Sequence, residues 1–455
     1  MGNASVSLMA VNAEELLCSG DRQAKEIALK LAQRAIEESN PYNAVRKWLS
    51  FERGELRVGG HRFPLRGDLY LLALGKAACL MAKRAEELLG ERLKEGLAVT
   101  KYGYSLPLKR TAVIEAGHPV PDENSLQAAH QGVELALKLR PEDMLLFLIS
   151  GGGSALFTYP QNGLTLRDKI EVNDLLLRSG ARIQEINAVR KHLSKVKGGN
   201  LARLVKGTLI ALVLSDVVGD SLEAIASGPT AKDPTTFQDA QRILRLYNLW
   251  DKLPGRVRDY LALGLEGKAE ETLKQDLPHV HNYLIGGVGI ACKAVREEAG
   301  RLGLESHILT TTLEGEAKEV ALALGSIVAE VYRKGRPLPK PGVLIAGGET
   351  TVTLSSGTGR GGPNQEFALS IARKIHGLKG VAVLAMDTDG TDGPTEAAGG
   401  LVDSFTSSLL EEGGIRVEEC LAQHNTYEAL KKAKALLVTG PTGTNVNSLY
   451  IAVIL

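Results

Sequence analysis

Cysteine is scarce in this chain. Cys18, Cys79, Cys292 and Cys420 are scattered, with no pair at the spacing of a zinc site or a redox motif. This excludes a disulfide-stapled scaffold and points to reduced thiols in a cytoplasmic protein. Aromatic residues make up only 4%, too few to offer the stacking platforms that single-stranded nucleic acid needs. Neither sign of charge is in excess: 54 basic residues against 53 acidic ones leave a formal net charge of +1. A nucleic-acid or membrane-surface partner therefore has no electrostatic footprint to recognise. Long apolar runs are missing too. No segment approaches the ~20 residues of a membrane span, and the N-terminus lacks the basic-then-apolar pattern of a signal peptide. An anionic ligand would have to be held by local groups rather than by the overall field.

Glycine, by contrast, is abundant at 50 residues, and much of it follows apolar runs directly. With 455 residues, the chain is long enough for two or three domains. Apolar residues at helical spacing predict a helix from about Ala13 to Glu38, with Ala24, Ile27, Ala28, Leu31 and Ala35 on one stripe. A polar hairpin-like stretch follows. Strand, glycine turn and helix then alternate: Leu69 to Leu74 before Gly75 and Lys76, Leu145 to Ile149 before Ser150 to Ser154, and Leu209 to Leu214 before Asp216. The order continues with Tyr283 to Ile285 before Gly286 to Gly289, Val343 to Ile345 before Gly347 to Thr351, and Val381 to Met386 before an acidic loop. Such alternation predicts an α/β protein whose domains each hold a mostly parallel sheet flanked by helices. The polar, helical segment from about Asp239 to Gln275, closed by Pro278, marks the expected boundary. It divides a larger Rossmann-like domain at 1–278 from a smaller one at 279–455, with the active site expected in the cleft between them. The glycine and acidic motifs of the two halves echo one another in order but not in spacing. Glycine turns after parallel strands recur by chance, and duplication would require matching strand connectivity.

Five groups of residues could carry chemistry. Ser150–Ser154, with Gly151, Gly152, Gly153 and Ser154 between a strand and a helix, can present backbone N–H groups to an anion; it lacks the GK[ST] ending of a P-loop. Lys76, at a strand-to-helix turn among small residues, can hold a phosphoryl group or a carboxylate. The stretch from Ile186 to Arg203 is rich in cations. Arg190 or Lys191 would reach a ligand, most of the others would form a solvated face, and His192 would pack or face solvent. Asp216 ends a buried strand and reads equally as a metal or water ligand and as a structural group, whereas Asp220 reads as a helix cap. Finally, Arg360 lies in the glycine-rich stretch from Gly347 to Phe367, where its fork suits a carboxylate or phosphate.

The acidic loop is the most demanding feature. Asp387, Asp389 and Asp392 crowd together within MDTDGTDGPT, and carboxylates that close repel one another unless a cation, a bound proton or basic side chains offset them. Counted from Asp387, the sixth and twelfth positions are Asp392 and Ala398 rather than glycine and glutamate, so an EF-hand is excluded. One or two carboxylates joined by phosphate oxygens suit Mg²⁺. A glycine cradle, a lysine, an arginine and strand-end aspartates are the parts that phosphoryl transfer requires.

Taken in order, LGKAA, SGGGSALF, VRKHLSKVKGGNLA, LSDVVGD with IASGPT, GGETTVT with GRGGPNQEFAL, and MDTDGTDGPTEAAGG resemble the class II glycerate kinases, the glycerate 2-kinase group with a MOFRL C-terminal domain. The resemblance spans nearly the whole chain, except the extreme N-terminus. It implies ATP- and Mg²⁺-dependent phosphorylation of D-glycerate at its 2-hydroxyl. By motif, Lys76 and Arg360 would be basic catalytic and substrate-binding residues; on the reading of the cation-rich stretch, Arg190 or Lys191 would bind substrate with them. The SGGGS loop would meet the nucleotide, Asp387 and Asp389 would hold metal, and Asp216 would act as base or metal ligand. A homodimer is compatible with this picture. Two rivals are an oxidoreductase acting on hydroxypyruvate and a non-catalytic nucleotide-binding regulator.

Overall fold

A computed structural model describes residues 10–354 and 359–455. The middle of the glycine-rich stretch, residues 355–358, and the extreme N-terminus lie outside the described residues. The chain forms two compact units: Pro41–Ile285, and the chain up to Asn40 together with Gly286–Leu455.

The Pro41–Ile285 unit is built on a six-stranded sheet in the order Thr111–Ala116, Leu93–Lys101, Leu69–Leu74, Met144–Ile149, Thr208–Leu214, Val280–Gly286. The first five strands are parallel to their neighbours. Leu69–Leu74 and Met144–Ile149 are buried along their whole length, as expected for strands covered on both faces. Phe147, Leu72, Leu145 and Val213 pack with Ala128, Leu135 and Leu201 into one core. Leu49–Glu52, Glu55–Val58 and His61–Pro64 form a small antiparallel sheet, the hairpin of the sequence.

The helical segment near 239–277 lies within this unit, ahead of its end at Ile285. It contains helices Phe237–Leu246 and Gly255–Leu265. These pack with Leu166–Arg178 and Ile183–His192 around Phe237, Ile243, Val172 and Val189. The expected helix from Ala13 to Glu38 is two helices, Ala13–Leu16 and Arg22–Ser39. The break is at Gly20, whose φ of 77° suits glycine; a methyl group there would overlap the Asp403 carboxylate. Asp403 also accepts the Asp21 N–H at 2.9 Å and pairs with buried Lys25 at 2.9 Å. This buried pair and the stripe of Ala24, Ala28, Leu31 and Ala35 tie Arg22–Ser39 to the C-terminal sheet. The N-terminal helix therefore does not belong to the larger domain that sequence alone suggested.

The second sheet runs Glu305–Leu313, Gly342–Gly348, Ser448–Ile454, Val381–Asp387, Gly399–Asp403, Leu436–Leu437. The α/β class holds, but this sheet is mixed rather than mostly parallel: the first pair is parallel and the later pairings are antiparallel. Two features make it mixed: Ser448–Ile454, a fully buried strand, is inserted antiparallel between the two expected ones, and Gly399–Asp403 returns antiparallel beside Val381–Asp387. This connectivity has no counterpart in the first sheet, so the two halves are not structural repeats. Ser448 pairs with both Gly348 and Asp387. That register brings the ends of two parallel-running strands to one edge, and with them Glu349 and Asp387.

Candidate active site

In the Pro41–Ile285 unit, Leu74, Ile149 and Leu214 end three neighbouring strands at one edge, the edge where ligands collect in open α/β sheets. The turns that follow are laced together. The Lys76 N–H donates to Gly151 O at 2.9 Å, and the Ala77 N–H donates to Ser150 Oγ at 3.1 Å. Gly151 lies so close to Asp216 that a methyl group on it would overlap that carboxylate. Gly152 has φ 85°, and a Cβ on it would sit 3.1 Å from the His118 ring and 3.2 Å from Lys76 Cγ. Lys76, the glycine loop, His118 and Asp216 therefore share one place. Burial pushes the Asp216 carboxyl up and Lys76 opposes it; burial, Lys76 and Lys101 push His118 down.

Beside them lies a cavity of about 340 Å³ whose lining includes His118, Gly152, Ser154, Asn187, Arg190 and Asp216. Two of its lining cations, Lys169 and Lys197, were not expected there. Lys197 had looked like part of a solvated face, yet it is buried and donates to Ser154 O at 2.8 Å and Phe157 O at 3.0 Å. Lys169 donates to Arg190 O at 3.4 Å and Leu193 O at 3.2 Å, closing the end of helix Ile183–His192. Burial and the nearby Arg190 bring its ammonium down to about 7. Burial brings Arg190 to about 10. The loop is further held by Ser154 Oγ, 2.7 Å from Ser227 Oγ, which donates to Asn187 Oδ1 at 3.2 Å.

Lys191 and Asp220 depart from their sequence expectations for physical reasons, whereas His192 does not. Lys191 does not line the cavity; it is buried and paired with Asp233 at 3.2 Å. On a helix its side chain points about 100° from that of Arg190, so the two neighbours cannot both face the ligand. His192 is buried between Ala188 O and Glu271, as packing predicts. Asp220 caps no helix, because a turn and the short 3-10 helix Ile225–Ser227 follow it.

The other unit carries the acidic loop. The Asp389 N–H donates to Asp387 Oδ1 at 3.1 Å, while Asp389 Oδ1 accepts from the Thr391 N–H and Oγ1, each at 2.8 Å. Burial first, and Asp389 second, raise the Asp387 carboxyl to about 7. Asp392 has a different role. It accepts the N–H groups of Asn364 at 3.0 Å and Gln365 at 2.9 Å, at the start of helix Pro363–Ile375. Burial raises its carboxyl to about 6 even though those bonds favour the charge. Arg360 stacks on Tyr427, with its guanidinium carbon 3.9 Å from the ring centroid, and pairs with Glu396. The acidic loop is also pinned by a segment that sequence reasoning missed: Thr388 Oγ1 donates to Asn447 O at 2.7 Å, and the Val446 N–H donates to Thr388 Oγ1 at 2.8 Å. A run of glycine, threonine and asparagine before an apolar C-terminal strand was its available signal.

Residues 27–262 match a domain of unknown function, DUF4147, and residues 342–448 match the MOFRL family. A glycerate 2-kinase of Pyrococcus horikoshii is 56% identical over 430 residues, covering 94% of this chain and 97% of that protein. The crystal structure of a Thermotoga maritima glycerate kinase superposes with a TM-score of 0.85 at 43% identity, covering 95% of this chain and 100% of that one. The chain belongs to the glycerate 2-kinase family. A putative hydroxypyruvate reductase of Agrobacterium vitis is also similar, at 42% identity over 84% of this chain and 86% of that protein. The kinase-named relative is more similar over more of the chain, so the oxidoreductase alternative is not favoured.

For this family member, the acidic loop can be tested as a metal site on its donors alone. Among the described residues, no cluster of three or more histidine, cysteine, aspartate and glutamate side chains is arranged to hold a metal ion. Two hard carboxylates, Asp387 and Asp389, nevertheless fit a divalent cation that takes its other ligands from water and phosphate. A carboxyl pushed to about 7 by burial and a like charge is what a cation would relieve. Among the described residues, no helix is long and apolar enough to cross a membrane.

Proposed function

We propose that the protein transfers the terminal phosphoryl group of ATP to the 2-hydroxyl of D-glycerate, giving 2-phosphoglycerate and ADP. The observation that carries this reading is the cation-lined cavity beside the glycine loop, in a chain whose similar relatives are glycerate kinases. Phosphoryl transfer needs positioning and charge neutralisation rather than covalent chemistry, and both kinds of group are present. Gly151, Gly152, Gly153 and Ser154 would admit a phosphate close to the backbone. Lys76, fixed through its N–H to Gly151 O, would neutralise the transferring group. Asp216 would accept the proton of the attacking hydroxyl, since its raised affinity for a proton matches that task better than an exposed carboxylate would.

Arg190 and Arg360 would bind anionic groups of the substrates. Arg360 would have to exchange Glu396 for a substrate carboxylate. That ion pair is solvent-exposed, and such pairs contribute little to stability. Asp387 and Asp389 would hold Mg²⁺, whose bound charge offsets that of a polyphosphate. Lys191 has no part in this reading, because Asp233 neutralises it.

The test is incubation with ATP, Mg²⁺ and D-glycerate, with products separated as 2- and 3-phosphoglycerate. The expected outcome is the 2-isomer. Oxidation of NADH by hydroxypyruvate, without ATP consumption, would overturn the reading in favour of the oxidoreductase; ATP binding without turnover would favour the regulator.

A further inference from the structure

Buried lysines in this chain fall into two classes. Lys25 and Lys191 are each given a buried carboxylate, Asp403 at 2.9 Å and Asp233 at 3.2 Å. Lys169 and Lys197 are not. Among the described residues neither forms an ion pair, and both donate only to main-chain carbonyls. Arg190 between them reaches a neutral amide, the Asn173 side chain. Taking a charge out of water without a partner is expensive, and a buried cation ordinarily pairs or loses its proton. Where the fold uses a lysine for structure it supplies the anion; around this cavity it leaves that anion out.

We infer that Lys169, Arg190 and Lys197 form the wall that binds the polyphosphate chain of a nucleoside triphosphate, with the ligand itself as their counter-charge. The inference rests on the kinase reading for the nucleotide. The charges choose the ligand class: a glycerate carboxylate would neutralise one of the three cations, whereas a triphosphate matches them all. The same cavity is lined by Val172, Leu177 and Ile183, an apolar wall suited to a nucleobase. Lys197 also donates to Ser154 O in the glycine loop, so phosphate binding at the lysine and at the loop would reinforce each other.

A structural role for Lys169, closing the end of a helix, predicts no ligand dependence, and the two roles separate by titration. The titratable groups facing Lys169 are Arg190 and Lys197, and burial, Lys169 and Arg190 push the Lys197 ammonium well down. Asp216 and His118 line the same cavity, with Lys76 beside them, and neighbouring Asp168 is held by Thr165, with Arg256 at 3.7 Å. With Lys169 near 7, a bound polyanion favours its ammonium form, and binding above that pH takes up a proton.

The experiment is titration calorimetry of the full chain with ATP, tripolyphosphate and D-glycerate, at pH 8 and in buffers of different ionisation enthalpy. Tripolyphosphate is expected to bind in competition with ATP. Lys169→Met and Lys197→Met should each weaken both ligands by about tenfold or more, the loss of one charge-assisted contact. Lys195→Met, removing a lysine that sits over the Tyr159 ring, should change neither. Proton uptake should accompany polyphosphate binding and fall in Lys169→Met, a readout that a structural role would not move and that survives if Lys197→Met fails to fold. Unchanged affinities with unchanged proton uptake overturn the inference, as does a loss confined to glycerate. The kinase reading is judged separately: lysine-dependent ATP binding without phosphoglycerate formation supports the inference and sinks the activity, and the opposite pattern does the reverse.

Discussion

Gly151 has no room for a methyl group because the Asp216 carboxylate occupies the space. Gly151→Ala should therefore displace Asp216, the proposed base, and lower kcat by about tenfold or more, while the melting temperature falls less than for a core truncation. Neighbours Arg190 and Lys191 make a sharper pair. Lys191→Met leaves Asp233 buried without its cation and should cost about 3–5 kcal/mol of stability, measured by denaturant unfolding. Arg190→Met should cost little stability and lose nucleotide affinity. The reverse ranking would contradict both assignments. Lys169 adds a pH dependence. Its ammonium is near 7 folded and 10.5 in the reference state, so between those values the unfolded chain binds more protons and stability rises with pH. Lys169→Met should remove that rise, and the variant's advantage over the parent should be largest below pH 7 and vanish toward 10.5. At this scale the sequence showed Lys76, Asp216 and the glycine loop, because each follows directly on a buried strand. Lys169 gave no signal: within LRDKIEVNDLLLR it reads as the polar face of an ordinary amphipathic helix. Lys197 was misread because helical periodicity does not say which faces a later layer of structure will cover.

Helix Pro363–Ile375 shows how an element recruits a residue from a motif. Asp392 looked like one of three equivalent loop acids, but it receives the two N–H groups at the helix start, where a carboxylate satisfies otherwise unpaired donors. Asp392→Ala should cost about 1–2 kcal/mol, read as a lower denaturation midpoint. Asp389→Ala, removing a half-buried loop acid, should cost less stability and more activity. Equal stability losses would contradict this division of labour. The strands before the functional loops were legible because continuous apolar runs bounded by glycine mark strands buried on both faces. The mixed second sheet was not legible. Pairing depends on where Ser448–Ile454 inserts, a contact between residues far apart in sequence that no local pattern encodes. The break at Gly20 escaped for the same reason, since its cause, Asp403, lies far along the chain.

For the whole molecule, the family followed from six motifs in order and the α/β class from alternation of strand and helix. The division into units did not. Helix Arg22–Ser39 groups with Gly286–Leu455, because its apolar stripe and Lys25 find their partners there. What unites the parts is charge management. Lys25 and Lys191 are given buried carboxylates; for the cavity cations we propose a polyphosphate as counter-charge, and for the paired acids of the loop a divalent cation. The central claim is that this arrangement serves phosphoryl transfer to D-glycerate. It is tested most directly by following phosphorus from γ-labelled ATP in the presence of Mg²⁺ and D-glycerate, with Lys76→Ala alongside. The account predicts label in 2-phosphoglycerate with the parent protein and its loss in the folded variant. Label that stays in ATP, or transfer that proceeds equally without Lys76, would contradict it.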